Sequence, residues 1–99
     1  MTVQVILPYQ LQNLAGTGRE VELDVETPVT PRAILNALEG CYPMLKGAIL
    51  DHATGERRPM LRFFACQEDF SHEPLDCELP EAVAHGKEAF VIVGAISGG

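Results

Sequence analysis

The stretch EAFVIVGAI, residues 88–96, runs from Phe90 to Val93 without a polar side chain and lies near the end of a 99-residue chain. Aromatic and β-branched residues in so short a run form a strand, because their side chains fit a pleated surface. A strand without polar alternation belongs in the middle of a sheet, covered on both faces or nearly so. The last strand is therefore expected to be central, flanked by strands from earlier in the chain.

Three segments supply those neighbours. TVQVILP, residues 2–8, alternates loosely and stops at Pro8, which has no amide proton to give a ladder. REVELDVE, residues 19–26, puts Val21, Leu23 and Val25 on one face and Glu20, Glu22, Asp24 and Glu26 on the other, which predicts a strand with one wet side. Between them QLQNLAGTG is expected to be a hairpin connection turning at Gly16-Thr17-Gly18. MLRFFAC, residues 60–66, reads as a third strand, and the acidic, irregular stretch 67–79 has room for a short edge strand.

One helix is well marked. In VTPRAILNALEGCYP, residues 29–43, Thr30 is a good N-cap and Pro31 suits the first helical position. Ile34, Leu38 and Cys41 form an apolar stripe, and Gly40 and Pro43 end the helix. MLKGAIL, residues 44–50, is either a short second helix or an apolar loop; DHATGERR is a polar turn. Pro80 to Ala84 predict one helical turn closed by His85-Gly86. An initial pair of strands thus feeds a crossover helix, and the chain returns so that its last strand lies beside its first. The fold class is α+β, of the β-grasp or ubiquitin-like kind. Its mixed sheet has four to five strands, with one main helix packed across one face.

Composition narrows the function. At 99 residues the chain is expected to be one domain, 1–99, with a flexible tail at 95–99. No apolar stretch approaches the roughly 20 residues of a membrane span, and Met-Thr-Val-Gln-Val lacks the features of a signal peptide, so the expected location is cytoplasmic. A net charge of −7 argues against a nucleic-acid partner, since phosphates need a basic patch. It suits a protein partner with a basic docking surface, or simply keeps the chain soluble.

Beyond the last strand the sequence reads GAISGG and stops on Gly98-Gly99. Residues without a Cβ pass through a narrow channel, and the only reactive group such an end presents is the Gly99 carboxylate. TVQVILP, ILNALEGCYP, LRFF and the ending VIVGAISGG together resemble the MoaD/ThiS family of sulfur-carrier proteins over most of the chain. That family includes the small subunit of molybdopterin synthase and the carriers of the thiamine and cysteine pathways. The resemblance implies that Gly99 is adenylated by a ubiquitin-activating-type enzyme, which itself binds the ATP. A sulfur donor then leaves a thiocarboxylate, and an acceptor enzyme or synthase large subunit takes the sulfur. Gly98, Ser97 and Ile96 would be tail contacts. The chain would be a carrier or co-substrate rather than a catalyst, with no cofactor of its own. Members often carry Asn-Gly in the turn after the third strand, where this chain has Cys66-Gln67-Glu68-Asp69. The enlarged segment Gly47 to Pro59 points away from the thiamine-type carrier. A ubiquitin-like modifier joined through Gly99 to lysines, or a non-covalent binding module, are the alternatives.

Other constellations are weaker. Cys66, His72 and Cys77 match no standard zinc spacing, and the three cysteines form no disulfide framework. His52 and His85 sit beside turns, and the acidic pairs are read as solvated faces. No glycine-rich loop with a following lysine is present to bind ATP. Phe63 and Phe64 are adjacent on a strand and must point to opposite faces. One is expected in the core; the other is covered by residues 44–50 or exposed as a partner-docking patch.

Overall fold

The computed structural model describes residues 1–94. Five strands form one sheet: β1 (Thr2–Ile6), β2 (Glu20–Asp24), β3 (Leu61–Ala65), β4 (Glu68–Asp69) and β5 (Phe90–Gly94). Their spatial order is β2-β1-β5-β3-β4. The last strand is central, as its apolar run predicts, and lies parallel to β1 and antiparallel to β3.

The register sets which side chains meet the core. Val3 pairs with Leu23 and Val5 with Val21 across β1 and β2, and all four are buried. Phe63 pairs with Ile92 across β3 and β5, and its ring lies 5.3 Å from that of Phe90. Shifting one of these strands by a single residue would turn its own members of the set to the open face. Helix α2 (Pro31–Cys41) covers the inner face with Ile34, Leu35 and Leu38. Its N-terminus follows the sequence signal: the Thr30 side chain accepts the Ala33 amide at 3.0 Å, and Pro31 takes the first turn.

Several expectations need correction. The β1–β2 connection is not a plain turn but a seven-residue helix, α1 (Tyr9–Ala15). Pro8 holds an extended backbone before it, Leu11 anchors it in the core, and Gly16 ends it at φ 70°. Cys41 lies exposed, and Leu35 takes its place in the buried stripe of α2. Gly40 stays inside α2; the helix stops because Tyr42 precedes Pro43 and is driven out of helical angles, to φ −130° and ψ 79°. Strand β5 is not covered on both faces: Phe90 and Ile92 are buried, whereas Val93 is 41% exposed. The sheet is one-sided.

Residues 43–45 form one 3-10 turn and the chain then runs as a loop; Leu45 in the turn and Ile49 in the loop are buried without exposure. Asp51 shapes the polar turn that follows, accepting the Ala53 and Thr54 amides at 2.8 and 3.2 Å. Arg57 ties the turn to the sheet by donating to the carbonyls of Ser71, Arg58 and Leu61. A short helix α3 (Glu81–Ala84) leads through Gly86 into β5.

The β3–β4 hairpin turns at two residues, Cys66 at φ 51° and Gln67 at φ 66°. Consecutive left-handed residues give a type I′ turn, matching the twist of the strands but favouring Asn-Gly. The pairing beyond it overrides that preference: Ser71 Oγ accepts the Phe63 amide at 2.8 Å, and the Phe70 amide donates to Phe63 at 2.7 Å. The double variant Cys66→Asn with Gln67→Gly should therefore stabilise the domain by about 0.5–1.5 kcal/mol, read as a higher urea midpoint.

Hydrogen bonds hold two carboxyls below their ordinary value of 3.8: Asp69 by the Ser71 side chain and amide, Asp51 by the Ala53 and Thr54 amides. A depressed native value contributes stability above the unfolded value, and this is lost as pH falls through the native value. The urea midpoint should therefore drop as pH is taken below 3.8. Asp69→Asn should flatten that drop; an unchanged acid slope in the variant would count against the hydrogen-bond assignment.

Candidate functional site

The sheet face turned away from α2 carries a row of side chains fixed by register. Glu20 pairs with Ile6, Ile6 with Val91, Val91 with Phe64, and Phe64 with Asp69. Three apolar side chains thus lie side by side with a carboxylate at each end. Ile6, Val91 and Phe64 are half-buried and line a shallow groove of about 300 Å³, with Cys66 and Ala89 beside them. Val93 continues the apolar surface toward Gly94.

Of the two expected docking residues, Phe63 is buried without exposure and is unavailable to a partner. Phe64 is half-buried on the open face, where it lines the shallow groove. Gly94, where β5 ends, sits between two grooves. One, of about 460 Å³, is lined by Pro8, Leu11, Pro59, Met60 and Leu61, with Arg58 its only charged lining among the described residues. The other, of about 350 Å³, is lined by Ile6, Tyr9, Val91 and Val93, with Arg19 its only charged lining among the described residues. Gly98, Gly99, Ser97 and Ile96 lie outside the described residues.

The thiols and histidines do not converge. Cys66 is in the hairpin turn, Cys77 is in the loop before α3, and His72 is exposed. Among the described residues no group of three or more His, Cys, Asp or Glu side chains is placed to hold a metal ion. Burial, with the Glu73 carboxylate nearby, pushes the Cys77 thiol up and away from the reactive thiolate form. No helix among the described residues is long and apolar enough to cross a membrane.

Residues that the sequence reading missed belong to the β1–β2 connection. Tyr9, at the start of α1, is 71% exposed, and Arg19 follows the helix. The available signal was Pro8 before Leu11 and Gly16 after it.

The architecture matches solved proteins along its whole length. SAMP1 from Haloferax volcanii superposes with a TM-score of 0.78 at 23% identity, covering 100% of both chains. This is a ubiquitin-like β-grasp fold. A chain of the Amycolatopsis orientalis BexX/CysO complex matches with a TM-score of 0.75 at 18% identity, covering 98% of this chain and 99% of that one. The small archaeal modifier protein 1 of Methanosarcina acetivorans matches at 0.73 and 24% identity, covering 99% and 96%. No protein-family model and no curated protein sequence matches the chain. In this β-grasp domain the central strand β5 runs out between the two grooves, beside the open apolar row.

Proposed function

We propose that the chain is a sulfur carrier that works through its Gly99 carboxylate. The observation that carries this reading is the placement of β5. It is the central strand, it ends at Gly94 beside an open apolar face, and the sequence continues from there to Gly98-Gly99. A carboxylate is a poor acyl donor until one oxygen becomes a good leaving group. In the proposed reaction a Gly99 oxygen attacks the α-phosphorus of ATP held by an activating-type partner. The bond between the α- and β-phosphates breaks, pyrophosphate leaves, and an acyl-adenylate forms. Sulfide then attacks the carbonyl carbon and AMP departs, leaving a thiocarboxylate whose sulfur is the nucleophile delivered to an acceptor. Ser97 and Ile96 are the proposed tail contacts and Phe64 the proposed docking residue. The chain brings no catalytic group to these steps. The sulfur would serve molybdopterin-type or cysteine-type biosynthesis.

Intact mass tests this directly. The chain is incubated with an activating-type enzyme, ATP and sulfide, and the expected result is replacement of one oxygen by sulfur at Gly99. Deleting Gly98-Gly99 should abolish the change completely. Normal cellular function of that deletion would overturn the proposal and favour a non-covalent binding module. A second reading is favoured by two structural neighbours that are described as small archaeal modifier proteins. It joins Gly99 to lysines of other proteins, and isopeptide-linked remnants of this C-terminus on lysine peptides would establish it.

A further inference from the structure

We propose that Arg19 and Arg58, with Tyr9 and Met60, form a cationic collar around the end of β5 that seats on a carboxylate-lined channel mouth of the activating partner. This rests on the carrier reading. The chain has 14 acidic and 7 basic residues, so a random surface groove would be lined mainly by carboxylates. The two grooves that share Gly94, Pro8 and Gln10 reverse this: each has one arginine, and among the described residues neither is lined by an aspartate or glutamate. Tyr9 and Met60 are 71% and 51% exposed, so each groove also presents a large apolar side chain to a partner.

The two guanidinium groups differ in availability. Arg58 donates through Nε to the Gly47 carbonyl at 2.8 Å, and its Nη1 lies 3.5 Å from Asp51 Oδ2. Arg19 is exposed, and its side chain makes no hydrogen bond or ion pair among the described residues, although its carbonyl accepts the Leu7 amide at 2.8 Å. A free, weakly hydrated guanidinium beside an apolar rim suits a partner carboxylate flanked by apolar side chains. The five residues after Gly94 span at most roughly 17 Å when extended, so the collar stays near the channel mouth while Gly99 goes in. It therefore governs how the carrier docks, and not the chemistry at the carboxylate.

The test measures charging of the full chain with ATP, magnesium and sulfide by each ubiquitin-activating-type enzyme of the source organism. Arg19→Glu and Arg58→Glu should each raise KM for the carrier by about tenfold or more while kcat changes less than about twofold. Lys87→Glu makes the same charge change before the start of β5, far from Gly94 in the strand, and should leave KM within about twofold. KM of the unaltered chain should rise with ionic strength, and Arg19→Glu should lose most of that dependence. Arg58 also holds the loop at Gly47, so Arg19→Glu is the deciding variant. If Arg19→Glu matches the unaltered chain, or if Lys87→Glu impairs docking equally, the collar is overturned while the carrier reading stands. If the unaltered chain is never charged, both fall together.

Discussion

Phe63→Ala is expected to cost about 3–5 kcal/mol, a large share of the roughly 5–15 kcal/mol that holds a small domain folded. The ring is wholly buried and lies at 5.3 Å from Phe90, across the β3–β5 pair at the centre of the sheet. Its removal leaves a cavity between two strands and α2 that a β-sheet backbone cannot close. Phe64→Ala, one residue along, should cost only about 1 kcal/mol, because that ring is half-buried on the open face. The proposed docking role adds a second contrast: Phe64→Ala should weaken partner binding in a chain that still folds. Urea unfolding of both variants checks the order. A Phe64 variant as unstable as the Phe63 variant would mean that the open face is covered in the native protein.

Among the described glycines, Gly86→Ala should be the most damaging substitution to stability, at about 2–4 kcal/mol. Two effects add. Gly86 has φ 74°, where a Cβ is strained, and a Cβ built there would lie 2.9 Å from the Thr2 carbonyl oxygen. That oxygen is backbone, so β1 or the α3–β5 connection must move. Gly16 separates the two effects, since it has φ 70° with open space around it. Gly16→Ala should carry only the left-handed penalty, about 1–2 kcal/mol. The difference between the two urea midpoints then measures the close approach. Equal losses would show that the Thr2 contact relaxes at no cost.

How much of this was legible in the sequence depended on how sharply each signal was written. Helix α2 was legible because Thr30-Pro31 and Pro43 bracket it, each by a local backbone restriction. Helix α1 was not, because its inward stripe amounts to Leu11; Leu14 is 49% exposed. The central position of β5 is legible in its apolar run, but its burial on one face only is not. Val91 and Val93 are apolar and face outward, and an apolar side chain on the open face has the same letter as one in the core. The resemblance places the turn at Cys66-Gln67-Glu68-Asp69, but it tightens onto Cys66-Gln67, neither of which prefers φ above zero, and Glu68-Asp69 form β4. Register and the Ser71 hydrogen bond impose it. The glycine ending could be read directly. The grooves beside Gly94 could not, because Arg19 and Arg58 meet the end of β5 only after the chain has folded.

The two borders of the sheet have a consequence for crowded solution. One border, β2, repeats a carboxylate at Glu20, Glu22 and Asp24, and the other, β4, is only two residues long. A second molecule trying to extend the sheet along β2 would bring like charges together, and along β4 it would find almost no ladder. The domain can therefore carry an oily strip on its open face and still resist growth into fibrils at high concentration.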